Sequence, residues 1–217
     1  PSANQVQSAP LAPATADGTM TPFDLLPSTH VTGPTSPSNI AISPSGNHAV
    51  VTWQYGERVT SYTRNSQDGR LTLVGSWATA NSTLWGAREA VFSPDGNFVY
   101  VPAEYDDALN VFAISSSGVL SFRQVVNEAS LGNTDLDGIR GIAISPDGSH
   151  LYATSRQGKT LTVFSIDALS GQLTLIQTLR NGIDGVTSLT VPSEPIISPD
   201  GTAVMVPSAN GFDSLFF

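Results

Sequence analysis

Three arginines and a run of carboxylates are the residues of this chain best suited to chemistry. Arg88, Arg140 and Arg156 each carry a planar guanidinium whose fork matches the two oxygens of a carboxylate. Glu104-Tyr105-Asp106-Asp107, together with Glu89, offers several acidic oxygens. Such a set can hold Ca²⁺ or another hard cation, and it reads equally as a solvated loop that pairs with the arginines. Trp53, Tyr55, Trp85 and Tyr105 fall in or beside the same segments. Aromatic side chains there suit stacking on a sugar or gripping a protein, while Trp53 also reads as a filler between packed elements. Tyr55, Trp53, Glu89, Tyr105, Asp106 and Arg140 are therefore the candidate ligand-binding residues. His30, His48 and His150 are too scattered to suggest a metal site. Asn133-Thr134-Asp135-Leu136-Asp137-Gly138 resembles the opening of a calcium loop, but Ile144 stands where the bidentate glutamate belongs, so a plain turn is expected. No cofactor is expected, although the carboxylates could take Ca²⁺.

These residues sit on a repeat. Ser43-Pro44-Ser45-Gly46, Ser93-Pro94-Asp95-Gly96, Ser145-Pro146-Asp147-Gly148 and Ser198-Pro199-Asp200-Gly201 are one turn motif, with serines 50, 52 and 53 residues apart (93−43, 145−93, 198−145). Tyr62, Phe112, Phe164 and Phe217 each follow their serine by 19 positions (for example 62−43). Around each turn, short β-branched and aromatic runs bounded by Gly, Pro and Asp predict four antiparallel strands. In the second copy these are Glu89–Phe92, Asn97–Val101, Leu109–Ala113 and Leu120–Phe122. Four such strands at a period near fifty residues describe a propeller blade. No helical periodicity of useful length occurs. The loops between the second and third strands, which share a rim with those joining one blade's fourth strand to the next blade's first, begin near Gln54, Glu104, Arg156 and Ala209, and these positions differ while the frame around them repeats.

The expected fold is all-β, a propeller of about four four-stranded antiparallel blades. Blades are expected at about 39–76, 88–126, 140–179 and 193–217, the last closed by strand 18–26, because Asp17-Gly18-Thr19-Met20 matches the turns ahead of the other fourth strands. The alternative is a four-blade fragment of a seven-bladed ring. Residues 1–16, rich in Pro, Ala and Ser, read as a tail or linker, and 17–217 as the propeller domain.

Composition narrows the function. A net charge of −9 without a Lys/Arg cluster argues against a nucleic-acid partner. No apolar run is long enough for a membrane helix, so the chain is not expected to span a membrane. The absence of cysteine excludes disulfides and thiolate metal sites. Pro1 in place of Met reads as a removed leader or a trimmed segment. With few lysines and a Ser/Thr-rich surface, the expectation is an exported protein, periplasmic, cell-surface or extracellular. Asn81-Ser82-Thr83 is a glycosylation sequon.

The blades resemble those of the lactonase-type β-propellers, the 6-phosphogluconolactonase-like group. The resemblance rests on Ile142 to Ala153, on Thr162-Val163-Phe164-Ser165-Ile166-Asp167, and on Phe92 to Pro102, and at blade level it covers roughly residues 39–217. In that group, His, Arg and Glu near the central channel are the proposed catalytic groups. The resemblance implies Arg88, Glu104 and Arg156 as their counterparts, with Glu89 at the histidine position. Loss of the imidazole removes the usual proton carrier near neutral pH. The leading expectation is therefore a non-enzymatic, exported module that binds a protein, a glycan or a neighbouring subunit. The alternative is a lactonase-like hydrolase, with Arg88 and Arg156 holding the substrate and Glu104 or Glu89 acting as base.

Overall fold

The Ser-Pro-x-Gly sequence folds the same way four times because its parts satisfy one another. The computed structural model describes residues 36–78 and 83–209, and the backbone of 211–216. In the third copy the Ser145 hydroxyl accepts from the His150 N–H at 2.9 Å and donates to Asp147 Oδ1 at 2.5 Å. Gly148 donates its N–H to Ser145 O at 2.8 Å with φ at +74°, a conformation that excludes a side chain there without strain. The first copy replaces the acid by Ser45, which bonds Ser43 at 3.1 Å. Three of the turns also nest on their neighbours. Pro44, Pro94 and Pro146 lie against Gly96, Gly148 and Gly201 of the following copy.

Each turn joins the first two strands of a blade. β1 (Pro37–Ile42), β2 (His48–Trp53), β3 (Arg58–Arg64) and β4 (Leu71–Trp77) pair in that order. β5 (Val91–Phe92), β6 (Phe98–Ala103), β7 (Ala108–Ile114) and β8 (Leu120–Asn127) form the second sheet. β9 (Ile139–Ile144), β10 (His150–Ser155), β11 (Thr160–Ile166) and β12 (Leu173–Arg180) form the third. β13 (Ile196–Ile197), β14 (Ala203–Ser208) and β15 (Gly211–Phe216) form a three-stranded fourth sheet among the described residues. All neighbours are antiparallel, and β1, β5, β9 and β13 touch in succession as the inner strands. The chain is an all-β propeller. The expected tail 1–16, the closing strand 18–26, His30, Asn81 and Phe217 lie outside the described residues.

The aromatic residue 19 positions after the serine has a fixed place. Tyr62, Phe112 and Phe164 stand opposite Ala49, Val99 and Leu151, and a bulge sits beside each on the outer strand pair. Phe112 and Phe164 are fully buried. The cores lie between blades, so no blade buries its faces alone. Val50, Val59, Val99 and Phe112 fill the first junction. Tyr100, Leu109, Leu151 and Phe164 belong to the second core, and Leu161, Val163, Val204 and Val206 to the third. At the turn rim, Phe98 lies against Gly171 while the Tyr100 hydroxyl donates to Gly171 O at 3.0 Å. A pocket of about 370 Å³ opens on that rim between blades three and four, beside His150, Tyr152 and Asp200. One element was not expected. α1 (Glu128–Leu131) is a single turn in which Asn127 and Ser130 cap each other and Gly132 closes the end.

Phe164→Ala should cost about 3–5 kcal/mol in denaturant unfolding, the scale of a deleted core ring. Val119→Ala, at an exposed site, should stay within about 0.5 kcal/mol. Hydrogen bonds from Ser145 and Ser198 hold Asp147 and Asp200 down at about 2, from an ordinary 3.8. Their stabilisation is present above about pH 4 and fades as pH falls towards 2. Thermal unfolding across that window should show the loss, and the Asp147→Asn/Asp200→Asn variant should flatten it.

Candidate active site at the channel mouth

The rim opposite the turns carries the candidate residues. Beyond β6 the chain runs antiparallel to the segment entering β5. Glu104 N–H donates to Gly86 O at 3.0 Å, Tyr105 N–H to Trp85 O at 3.2 Å and Arg88 N–H to Pro102 O at 3.0 Å. This ladder sets Arg88 and Glu104 side by side, and Arg88 donates from Nε and Nη2 to Glu104 Oε2. Glu104 is only 6 % exposed, and the guanidinium that faces it takes the place of water as its partner.

Glu89 points along the mouth towards blade three. Its Oε1 accepts from the Ile142 N–H at 2.6 Å, on the strand that also carries Arg140. Burial, which outweighs that hydrogen bond, together with the nearby Glu194 charge, pushes its carboxyl up to about 7. Asn39 occupies the same place in blade one and accepts from Ala90 N–H at 3.5 Å. The position is thus a link between successive blades as well as a carboxyl site.

Glu194 is the residue that sequence reasoning missed. It stands four residues ahead of its blade's serine, as Glu89 does (198−194, 93−89), and that shared offset was the available signal. Gly141 lets it come close. A Cβ at Gly141 would lie 2.4 Å from Glu194 Cα, far inside contact distance. The Ser193 hydroxyl, bonded at 2.5 Å, together with Arg140 and Arg88, holds the Glu194 carboxyl below its ordinary range against the opposing effect of burial.

Arg140 and Arg156 line a cavity of about 470 Å³ with Pro192, Ser193, Pro207 and Ser208. Among the described residues neither guanidinium has a salt-bridge partner. The other carboxylates go to separate tasks. Asp106 Oδ2 accepts from Trp85 N–H at 2.7 Å, and Asp107 Oδ1 from Gly138 N–H at 2.6 Å. Asp135, from the calcium-like stretch, takes Arg180 Nη2 on both oxygens at 2.5 and 2.7 Å. The candidate acidic cluster is therefore dispersed, and among the described residues no three ligands converge on a metal position.

The aromatics divide as well. Tyr55, Trp85 and Tyr105 gather at the rim, with Tyr55 and Tyr105 stacked at 6.4 Å and Trp85 edge-on to Tyr105 at 5.2 Å. Trp53 stands apart within blade one, its Nε1 donating to Thr60 Oγ1 at 3.0 Å, packed on Ala49, Val51 and Tyr62.

Arg88→Ala should destabilise the protein by several kcal/mol in thermal unfolding, since Glu104 would be left buried and unpaired. The Arg88→Ala/Glu104→Gln double variant should recover part of that loss.

Residues 78–207 match the family model described as "Lactonase, 7-bladed beta-propeller". The 6-phosphogluconolactonase of Klebsiella pneumoniae (strain 342) is 27% identical over 168 residues, which is 77% of this chain and 48% of that protein. The periplasmic gluconolactonase of Pseudomonas aeruginosa superposes with a TM-score of 0.67 at 26% identity, over 84% of this chain and 50% of its own. A Bacteroides uniformis crystal structure superposes at 0.74 and 21% identity, over 94% and 59%, which speaks to the fold alone. The chain spans about half the length of the curated relatives it matches. Seven blades fit the alternative drawn from sequence, a run of four within a larger ring. These findings overturn the expectation of a non-enzymatic binding module, because the relatives are named as lactonases. That expectation rested on variable rim loops over a repeated frame, a short blade count and a missing imidazole. The carboxyl in its place titrates in the range an imidazole would occupy. Among the described residues no helix is long and apolar enough to cross a membrane.

Proposed function

The chain belongs to the lactonase family of seven-bladed β-propellers, and from that premise we propose that its channel mouth hydrolyses a small lactone to the hydroxy acid. The observation that carries the reading is Glu89, a mostly buried carboxyl that burial pushes up to about 7 and that is bonded to Ile142 on the strand carrying Arg140. The lactone sits in the cavity of Arg140 and Arg156, which face its carbonyl oxygen and pendant polar groups. Glu89, in its ionised form, takes a proton from water as the oxygen attacks the carbonyl carbon. The negative charge that develops on the carbonyl oxygen is met by the arginine donors. When the tetrahedral centre collapses, the ring C–O bond breaks and Glu89 returns the proton to the leaving oxygen. Arg88 and Glu104 form a charged wall that fixes the segment before Glu89.

A base that must be ionised makes the rate rise with pH through about 7. Lactone hydrolysis, measured above the spontaneous rate by proton release, should show that limb. Glu89→Gln keeps the acceptor for Ile142 and should lower kcat about 10²–10⁴-fold while abolishing the limb. Arg140→Ala and Arg156→Ala should each raise KM roughly tenfold or more, the scale of one charge-assisted hydrogen bond. Because burial raises the Glu89 carboxyl above its ordinary 4.5, ionising it opposes folding. Glu89→Gln should therefore be more stable than the parent above pH 7. Turnover indifferent to Glu89→Gln would discard the assignment.

A further inference from the structure

The aromatic cluster at the rim is not used by this chemistry, yet it is continuous with it. Tyr55, Trp85 and Tyr105 are 52%, 47% and 41% exposed, although large aromatic rings are usually well covered. They are held in place. Asp106 fixes the Trp85 backbone, Gln54 Nε2 donates to the Tyr105 hydroxyl at 3.2 Å, and Tyr105 lies directly on Gly86. The cluster is the next step of the ladder that sets Arg88 against Glu104, since Trp85 pairs with Tyr105 where Gly86 pairs with Glu104. The rings therefore adjoin the Arg88–Glu104 pair along one ladder. Fixed apolar faces edged by an amide, carboxylates and a guanidinium suit a ring with apolar faces and hydroxyl edges, which is the chemistry of a pyranose.

We propose that Tyr55, Trp85 and Tyr105 form a subsite for a second sugar ring, so that the substrate is a lactone carrying a glycosyl substituent. This rests on the lactonase reading. The lactone lies at Glu89 and the arginines, and the substituent reaches over Arg88 onto the rings.

Two measurements separate the two ideas. Hydrolysis of glucono-δ-lactone is compared with that of its 4-O-glucosyl derivative. Binding of the corresponding stable acids, gluconate and 4-O-glucosylgluconate, is followed by calorimetry. The disaccharide forms should be favoured about tenfold in KM and in affinity, the scale of one aromatic stacking contact, with kcat unchanged. Tyr55→Ala and Tyr105→Ala should each remove most of that preference and leave gluconolactone turnover intact. Tyr55 is the more exposed of the two, so its variant stands if Tyr105→Ala fails to fold. Hydrolysis of both lactones without preference overturns the subsite and leaves the reaction. Preferential binding without hydrolysis overturns the reaction and leaves the subsite. Neither preference nor turnover overturns both.

Discussion

In blades one and two the side chain four residues ahead of the turn serine reaches across to the next blade, and the rest of the mouth depends on that reach. In blade one the link is neutral, Asn39 to the N–H of Ala90. In blade two it is Glu89 to the N–H of Ile142. The same bond that joins two inner strands buries a carboxyl at the channel, and burial is what lifts its proton affinity. The scaffold bond and the proposed base share one position. A hydroxyl repeats the pattern nearby. Thr52 donates to Arg88 O at 2.5 Å and Thr154 to Ser193 O at 2.8 Å, while Pro102 holds the equivalent place in blade two and has no such donor.

Most of the fold was legible because it repeats. A turn with proline, glycine and a serine that bonds its own backbone needs no tertiary context, and neither does period-two alternation. The strands ran longer than their apolar runs suggested. β8 extends to Asn127 although Arg123 and Gln124 interrupt its apolar run, because the ladder with β7 continues through them to Val125 and Val126. The helix turn α1 depends on a local cap too short to leave a periodic pattern.

The site was legible only in pieces. Arg88 and Glu104 could be placed on one rim from the repeat, and they meet as an ion pair. The separation of Trp53 from Tyr55 could not be read, since two residues of a strand end decide which ring stays in the sheet and which leaves it. The titration range of Glu89 could not be read from residue type alone. A glutamate in water is a poor carrier of protons at neutral pH, but its environment decides its titration range. That environment is assembled from blade three and from Glu194, which lie 53 and 105 residues further along (142−89, 194−89).

The proline-on-glycine nesting from turn to turn gives the two ends of the wheel different mechanical characters. Pro44, Pro94 and Pro146 seat successive blades on one another at the turn end through apolar contact, whereas the end that carries the arginines is tied from blade to blade by directed hydrogen bonds, Thr52 to Arg88 O, Glu89 to the Ile142 N–H and Thr154 to Ser193 O. Apolar contact tolerates small sliding, while a hydrogen bond is sensitive to both length and angle. The spacing of neighbouring blades is therefore set more strictly around the opening than at the interlocked base.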